Sequence, residues 1–395
     1  MAGPLDVFLG QTGATDVIGQ VFFFLMFFAF AFLYPKLTLN QAIWKLEKET
    51  SELEAMAADV RAIIAKKIDT RPGEKLRGSI REFVEFFAIS PIDMDPSGVV
   101  KKLDMIVRQS DKRFEWLVAQ MAPKLDKIQQ SNIQNALAGA MMTHQIAKIL
   151  RHYLETIKKY KMFQMALVIQ MQVPLVIRAA KAAAEATKAF IDGIPIGDGA
   201  GPLVVASMVP ARTRVKVYKE EEFAVASIMV EGRKVLACKA TGPGAGTGYP
   251  GKFLLKLAKQ NRIDRIISVD AAMRFEGEKA GTVAEGIGMA MGGSGVDRYE
   301  IEEFAVKNQM PLDAVAIKVS DEEALGPMKP EIFKGVALAI EKVKELVKRS
   351  RKNERILLMG IGNTCGVGNN SAAVKEAERL IKKAAKAAAE KKGKK

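Results

Sequence analysis

The sequence predicts a membrane-anchored protein in which an all-α region precedes a C-terminal α/β domain. Three observations carry this prediction: one uncharged apolar run near the N-terminus, a long stretch with helical periodicity, and a glycine-rich second half where strand and helix patterns alternate. Such alternation is typical of a sheet covered by helices. The 395 residues suffice for two or three domains with cores of their own.

The composition excludes several classes of protein. Lys and Arg number 60 against 45 Asp and Glu, which gives a formal net charge of +15. Hydrophobic residues at 49% exclude a wholly disordered chain, and two cysteines exclude a disulfide framework or a four-thiolate metal site. The two histidines, His144 and His152, lie in the helical region without acids or cysteines at ligand spacing. We therefore expect neither a metal nor a cofactor.

The uncharged run from Val17 to Pro35 predicts a transmembrane helix. Such a helix is about 28 Å long, close to the ~30 Å hydrocarbon layer of a bilayer. A cleaved signal peptide is the alternative, but no basic residue precedes the run and no small-residue cleavage site follows it. Only acidic charges occur over 1–16 and lysines follow the run, so the positive-inside rule predicts an external N-terminus and a cytoplasmic remainder.

The helical region has two parts. Residues 36–70 show apolar positions at threes, fours and sevens, which predicts a short coiled coil and a homo-oligomer. A helical domain follows over 71–190. Its apolar stretch 162–177 holds three glutamines and a proline, which favours a buried or membrane-surface helix over a second span. If this stretch did cross the bilayer, the C-terminal domain would lie on the other side.

An α/β domain is predicted over 191–381, before a lysine-rich tail over 382–395. Strand patterns occur at 203–209 (or a helix there), 214–218, 223–230, 234–241, 265–270, 312–319 and 355–361. Helix patterns occur at 251–260, 277–291, 299–308, 330–350 and 371–390.

Two aspartates are the candidate catalytic residues. Asp270 follows the buried strand pattern IISV, and Asp198 lies in the glycine-rich turn IGDGAG. Ligand sites of open α/β sheets form at the carboxyl ends of strands, where two carboxylates can share a proton and act on water as acid and base. The alternative is structural: Asp198 caps a helix and Asp270 ends a strand.

A glycine-rich run between a strand and a helix predicts backbone N–H groups that stabilise an oxyanion or bind another anion. It lacks the Gly-Lys-Ser/Thr of a P-loop and the ribose-binding acid of a dinucleotide site, and an ordinary turn is the alternative. Its glycines are Gly242, Gly244, Gly246 and Gly248.

Five short motifs follow one another along residues 192–320: DGAGPLVV from Asp198, TGPG from Thr241, VDAA around Asp270, GSGV from Gly293 and PLDAVAI from Pro311. In this order the motifs resemble the catalytic domain of the spore germination endopeptidases and, more distantly, the hydrogenase-maturation endopeptidases. The resemblance implies a phosphorylase/hydrolase-like α/β fold, two essential aspartates at Asp198 and Asp270, and a supporting loop with Gly293 and Gly295.

The chain departs from that family at three places. The strand ending GLGN that opens the family's domain is replaced by an alanine-rich helix, and RILLMGIGN, with Gly362 and Asn363, stands near the C-terminus instead. A circular permutation would place Gly362 and Asn363 beside Asp198. The Gly-Asn after GSGV is replaced by Asp297-Arg298. The metal-binding histidine of the maturation enzymes has no counterpart here.

A second acidic motif competes with Asp198. Glu323-Ala-Leu-Gly-Pro also resembles the first motif of the germination endopeptidases, and it follows a strand pattern. In an unpermuted domain Glu323 would be the matching acid, whereas the order of the motifs favours Asp198.

The whole arrangement also resembles an uncharacterised archaeal family of single-span membrane proteins, which implies no known activity. Our leading expectation is a membrane-anchored cytoplasmic hydrolase, an endopeptidase that acts on a peptide or protein substrate through paired aspartates. One alternative is a non-catalytic oligomeric membrane scaffold. Another is a basic membrane-surface protein that binds RNA or ribosomes, since the net positive charge attracts any polyanion.

Overall fold

The computed structural model describes residues 14–89, 91, 98–293 and 295–392. Most of the predicted external segment over 1–16 lies outside the described residues, as does the last part of the lysine-rich tail. The described chain divides into two compact units. The first comprises 14–54 and 146–177, and the second comprises 55–145 and 178–392.

Long helices form the N-terminal half of the described chain. The predicted membrane span and the predicted coiled-coil segment belong to one helix, α1, which ends just before the helix-breaking Pro72-Gly73. The helices are α1 (Ala14–Ile68), α2 (Glu74–Val84), α3 (Val99–Met121), α4 (Lys127–Tyr160) and α5 (Phe163–Asp192).

The first unit contains a candidate membrane span. Two helices among the described residues are long and apolar enough to cross a bilayer, residues 19–68 and Phe163–Asp192. In the first, the apolar window has no buried residue, and its phenylalanines are exposed on every side. An exposed helix that is apolar all round suits lipid rather than water. In α5 the corresponding window is 17% buried, so it is packed against protein only in part.

Beyond the span, α1 and α4 pack antiparallel within the first unit. Arg151 of α4 forms a two-pronged ion pair with Glu54, with N–O distances of 2.7 and 2.8 Å. One heptad further along, Lys158 contacts Glu47 at 2.9 Å. Leu46 is wholly buried, as expected for the apolar side of a helix pair.

The seven-residue repeat of α1 is covered by the chain itself. Leu39, Leu46, Leu53 and Val60 are at most 8% exposed. Because this apolar stripe is buried without a second copy, packing inside the chain explains the pattern on which the coiled-coil prediction was based. Association of several copies stays a prediction.

The C-terminal part of the second unit is a seven-stranded mixed sheet in the order β1-β2-β3-β7-β4-β6-β5. The four central strands β3, β7, β4 and β6 are parallel, and the strands at both edges are antiparallel. The strands are β1 (Lys216–Tyr218), β2 (Phe223–Val230), β3 (Arg233–Ala240), β4 (Arg265–Met273), β5 (Val283–Ile287), β6 (Leu312–Val319) and β7 (Ile356–Gly360).

Helices cover both faces of this sheet. On β7, Leu357 and Met359 pack with α7 and α8, whereas Ile356 and Leu358 pack with α6, α10 and α11. This alternation explains the continuous apolar sequence of the strand, which is buried on both sides. The helices are α6 (Ala200–Met208), α7 (Pro250–Ala258), α8 (Val296–Lys307), α9 (Asp321–Leu325), α10 (Pro330–Arg349) and α11 (Ser371–Lys392).

The structure differs from one secondary-structure prediction for this domain and decides another that the sequence left open. The helix predicted at 277–291 is wrong: strand β5 lies there, between glycines at 281 and 288 whose positive φ angles, +80° and +105°, do not fit a helix. The stretch 203–209, left open as strand or helix, belongs to helix α6. Residues 200–206 are all buried, so the stretch has no polar face from which a helical period could be recognised.

Candidate functional site

The candidate site lies at the carboxyl edge of the sheet, where the parallel strands end. Lys239 of β3 and Val269 of β4 both lie opposite Gly360, the last residue of β7. Because β4 continues, Asp270 stands just beyond the end of β7. The chain leaves β3 and β7 towards helices on opposite faces, α7 and α11. Such a switch point between neighbouring strands is where open α/β sheets form ligand sites.

Asp270 is a buried carboxyl group, 4% exposed. Its Oδ1 accepts the N–H of Ala271 at 2.7 Å, and the N–H of Gly292 lies close enough to act on the carboxylate and lower its pKa. Burial raises the pKa of Asp270 well above its usual value, and the negative charge of Asp198 raises it further, against the opposing effect of the two N–H groups. Asp270 does not end its strand, since β4 continues to Met273.

Asp198 is the central residue of a 3₁₀ turn, Gly197–Gly199, directly before α6. Its Oδ2 accepts the N–H of Asn363 at 2.7 Å. Burial raises the pKa of Asp198, and this hydrogen bond opposes the rise. As a residue Asp198 is half-buried, whereas Asp270 is buried. The helix-cap alternative is wrong, because the N-terminus of α6 has no side-chain cap.

Gly362 allows the loop after β7 to approach Asp198 closely. Its φ angle is +123°, a region that favours glycine, and a Cβ there would collide with the carbonyl oxygen of Asp198. The structure therefore brings Gly362 and Asn363, at the far end of the sequence, into contact with Asp198.

The two aspartates form an electrostatically coupled pair. Neither forms an ion pair with any Lys, Arg or His in the part of the chain that the structure describes. Two like charges without a cation disfavour full ionisation, which favours a state in which one of the two carboxyl groups keeps its proton. One carboxylate and one carboxylic acid at the same edge are the groups needed for acid–base chemistry on a water molecule.

Three residues of α4 that sequence analysis did not single out hold the loops of this site. Asn135 Oδ1 accepts from Asn363 Nδ2 at 3.2 Å, and Asn135 Nδ2 donates to the carbonyl of Ala245 at 3.0 Å. Asn132 Oδ1 accepts the N–H of Ala245 at 2.8 Å, and Ser131 also donates to its carbonyl. Their segment, SNIQN, resembles an ordinary helix surface, so no local signal separates them from solvated polar residues.

The glycine-rich loop after β3 is tied to the loop after β7. Thr364 Oγ1 lies 3.2, 2.8 and 3.0 Å from the carbonyl oxygens of Thr241, Gly244 and Gly246. A single hydroxyl thus contacts three carbonyl oxygens of the loop, which ties the loop to the segment that begins with Asn363.

The four predicted anion-binding glycines are not equivalent. The N–H of Gly242 donates to Asn369 Oδ1 at 3.0 Å, so Gly242 has no N–H left for an oxyanion and that part of the prediction is corrected. Among the described residues, no acceptor is bonded to the N–H groups of the remaining three, Gly244, Gly246 and Gly248.

Lys239 is a second feature that sequence analysis missed. It is 1% exposed, and its Nζ lies 2.8 Å from the carbonyl oxygen of Ala240, 3.4 Å from that of Val367 and 3.0 Å from Asn369 Oδ1. Burial lowers the pKa of Lys239 to about 7. A lysine in a strand pattern is normally expected on an exposed face, and only the sheet's packing reveals its burial.

The loop with Gly293 and Gly295 was predicted to support the site, but it is the preceding residue, Gly292, that lies next to Asp270. Gly293 and Gly295 have φ angles of +87° and +81°, and the space around their Cα atoms is open. The residue between them lies outside the described residues. It is Gly292 whose N–H reaches Asp270, while Gly295 precedes α8.

Glu323, the rival acid, has a structural role. Its carboxylate pairs with Arg274 at 2.9 Å and Lys329 at 2.8 Å, and it completes a capping box with Ser320 at the start of α9. Burial raises the pKa of Glu323, but the two cations lower it more, to about 2. A carboxylate held this way is a poor proton donor or acceptor near neutral pH.

No group of three or more His, Cys, Asp or Glu side chains in the described chain is arranged to hold a metal ion. His144 instead contacts Arg61 and Glu85 at 3.2 and 2.8 Å. Cys238 and Cys365 are buried, and burial raises the pKa of both thiols, that of Cys365 to about 12. Thiols in this state are weak nucleophiles.

Comparison with known proteins matches two regions of the chain. A family model described as "Protein of unknown function (DUF1512) N-terminal domain" matches residues 20–193, and one described as "Domain of unknown function (DUF1512) C-terminal" matches residues 196–368. Together the two matches cover most of the chain, and they meet just before the turn that holds Asp198. No curated protein matches the sequence.

Proposed function

Because the chain belongs to the DUF1512 family, whose description gives no activity, we propose its function from the site: a membrane-anchored hydrolase in which Asp198 and Asp270 activate water. One observation carries the proposal. Asp198, beside the loop that follows β7, and Asp270, just beyond the end of β7, lie at the same edge of the sheet with no cation to neutralise either within the described residues, and the charge of Asp198 raises the pKa of Asp270.

The two environments assign the roles. Asp198 is the more exposed, and the N–H of Asn363 stabilises its negative charge, so it loses its proton first and acts as the base. Asp270 is nearly sealed from solvent and has the more strongly raised pKa, so it keeps a proton and acts as the acid. Carboxyl groups whose environments separate their pKa values are the usual source of paired acid and base roles.

In the proposed reaction, Asp198 takes a proton from water while the water oxygen bonds to the carbonyl carbon of an amide. Asp270 then gives its proton to the amide nitrogen as the carbon–nitrogen bond breaks. One water and one amide thus become a carboxylic acid and an amine. Transfer of a proton from Asp198 to Asp270 restores the starting state.

The glycine-rich loop supplies the remaining requirement, donors for the negatively charged oxygen of the tetrahedral intermediate. Gly244, Gly246 and Gly248 are the proposed donors, because their N–H groups have no acceptor among the described residues. Thr364 and the asparagines of α4 hold this loop in place. Donors fixed before the reaction stabilise charge without the cost of reorganisation.

A peptide bond is the proposed substrate class, and it rests on the resemblance to the germination endopeptidases. The contact between Asn363 and Asp198 supports this resemblance, because it is the contact that a circularly permuted member of that hydrolase-like fold would make. The lysines after the span favour a cytoplasmic domain and an external N-terminus. A protease-accessible tag at the C-terminus, cleaved only after cell lysis, would support this orientation; cleavage in intact cells would refute it.

The test uses the full chain in a neutral detergent. Peptide libraries are incubated with the protein, and cleavage is read by mass spectrometry. We expect Asp198→Asn and Asp270→Asn each to reduce cleavage by about a hundredfold or more, since each removes one proton-transfer group. Asp192→Asn is the matched control, because Asp192 is exposed and lies six residues before Asp198.

Cleavage that survives both substitutions would overturn the proposal. Large assemblies without any cleavage would favour the non-catalytic scaffold. Co-purifying RNA whose binding falls steeply with salt would favour the nucleic-acid alternative.

A further inference from the structure

A second site lies away from the aspartates, in the gap between the end of α1 and α2. The chain turns at Pro72, and the two helices leave a cavity of about 210 Å³ that is open on one side. Its apolar floor includes Ala65 and Ile80, which are 2% and 1% exposed. Alanines at 58 and 62 line the α1 side, and their short side chains leave the space unfilled.

Four cations surround this cavity: Arg61 and Lys66 from α1, and Arg77 and Arg81 from α2. Within the described chain, Lys66 and Arg77 form no ion pair with a carboxylate. Among the described residues, Arg81 is the cation of the four that has such a partner, the exposed Glu74 in the first turn of α2, and the charges of Arg81 and Arg77 both lower the pKa of Glu74. No carboxylate lines the cavity, so its lining carries only positive charge.

The cations around the cavity repel one another. Arg61 is half-buried and contacts His144 at 3.2 Å through Nη1. Burial lowers the pKa of Arg61, and the nearby charge of Arg81 lowers it further, against a smaller effect of Glu85. A bound anion would relieve this repulsion and give the half-buried guanidinium of Arg61 a charged acceptor.

We propose that this basic cavity, lined by Arg61, Lys66, Arg77 and Arg81, is a binding site for a phosphate group. Guanidinium groups match phosphate geometry through paired hydrogen bonds, and several cations suit a multiply charged anion better than a single carboxylate. The volume is below the ~300–1,000 Å³ of pockets that enclose drug-sized ligands, which favours one or two phosphate groups over a whole nucleotide.

Calorimetric titration of the full chain in neutral detergent, with inorganic pyrophosphate as the probe, tests the proposal. We expect one site per chain, with an affinity that falls as salt rises. Arg77→Gln and Arg81→Gln should each raise the Kd about tenfold, because each removes a charge-assisted hydrogen bond. Lys67→Gln combined with Lys75→Gln is the matched control, since both lysines are exposed neighbours outside the cavity lining.

A second variant tests the cavity and not just its charge. Ala62→Leu fills the space while all four cations remain, so it should abolish binding. Ala55→Leu, on the same helix but outside the lining, should bind as the unaltered protein does. Ligand-free melting temperatures show that each variant is folded.

The phosphate could belong to a soluble compound or to a lipid headgroup, and a short-chain phosphatidic acid distinguishes them. Tighter binding of dihexanoyl phosphatidic acid than of pyrophosphate assigns the site to a lipid, and the reverse order assigns it to a soluble phosphate. No binding at millimolar pyrophosphate would overturn the proposal. An equal loss of pyrophosphate affinity in the Lys67→Gln/Lys75→Gln control would also overturn it, because it would show that the general positive charge of the surface binds the anion and the cavity does not.

The phosphate-site proposal and the hydrolase proposal can be tested independently of each other. Asp198→Asn should bind pyrophosphate unchanged, because Asp198 is not part of the cavity lining.

Discussion

At the scale of single residues, Asp270 combines burial with a neighbouring like charge. Because its folded pKa is raised, the stability it contributes is full below about pH 4 and is lost as pH rises through the folded pKa. Asp270→Asn cannot ionise, and its amide oxygen can still accept from Ala271. We expect the variant to melt at a higher temperature than the unaltered protein at pH 8, with the difference vanishing near pH 4.

Asp264 provides the control, because its pKa is shifted in the opposite direction to that of Asp270. Burial raises its pKa, but the N–H of Arg355 and the side chain of Arg262 lower it more, so its net shift is downward. Asp264→Asn should therefore lower the melting temperature at pH 7. If Asp270→Asn also melts lower at pH 8, ionised Asp270 stabilises the fold and the predicted upward shift of its pKa is wrong.

Lys239 is the second residue whose environment decides its behaviour. Its pKa of about 7 lies below the 10.5 of an exposed lysine, so the protein gains stability from this group as pH rises between those values. Lys239→Met removes the amine and leaves the carbonyls of Ala240 and Val367 without this donor. We expect a loss of about 1–3 kcal/mol at pH 10 and a smaller loss at pH 7, measured by thermal melting.

The control for this prediction is Lys234→Met, an exposed position on the same strand. It should leave stability nearly unchanged at both pH values. If Lys239→Met is as stable as the unaltered protein at pH 10, the hydrogen bonds of the Lys239 amine do not contribute to stability.

At the scale of elements, α9 shows how a short helix positions the candidate site. The N–H of Gly197 donates to the carbonyl of Gly326 at 3.1 Å, and a Cβ on Gly197 would collide with the carbonyl oxygen of Glu323. The segment around α9 therefore packs directly on the turn that carries Asp198. Glu323 stabilises that segment by its capping box and its two ion pairs.

Glu323→Gln separates this supporting role from a catalytic one. Glutamine keeps the capping box but loses the charge, so we expect a loss of about 1–3 kcal/mol at pH 7. Because the folded pKa is lowered to about 2, the loss should disappear as pH falls from 4.5 towards 2. Thermal melting measures the loss, and peptide cleavage should stay within about threefold of the unaltered protein.

The exposed Glu331→Gln is the matched substitution without an ion pair, and it should change neither quantity. A hundredfold loss of cleavage in Glu323→Gln with unchanged stability would make Glu323 the acid and Asp198 the structural residue.

At the scale of the whole molecule, the exposed apolar start of α1 calls for a lipid environment. Phe24 and Phe27 are 58% and 54% exposed, in a window where the described part of the chain buries no residue. Placing arginine at both positions costs about 2.5–3.5 kcal/mol each on the insertion scale. We expect Phe24→Arg/Phe27→Arg to release the protein from membranes washed with alkaline carbonate, whereas the unaltered chain stays in the pellet.

Phe87→Arg serves as the control, because Phe87 is 76% exposed in the other unit and lies outside α1. It should stay in the pellet. Retention of the Phe24→Arg/Phe27→Arg variant would point to α5, the other helix that is long and apolar enough to span.

Taken alone, the sequence determined the features that depend on local pattern. An uncharged apolar run indicated the candidate span, and the period of apolar residues indicated the long helices. The strand patterns gave β2 and β6 to the residue, because burial on one or both faces of an element determines which of its positions are apolar. The motifs IGDGAG and IISVD likewise marked Asp198 and Asp270. Local pattern misassigned 277–291, where positive-φ glycines and pairing with β6 outweigh helical propensity.

Only the tertiary structure decided what depends on distant parts of the chain. The hydrogen bond from Asn363 to Asp198 joins residues 165 positions apart, and the asparagines of α4 reach the glycine-rich loop from more than a hundred positions away. The ion pairs of Glu323 and the burial of Lys239 arise in the same way. Electrostatic environment depends on which groups meet in space, and no periodicity of a single element records that meeting.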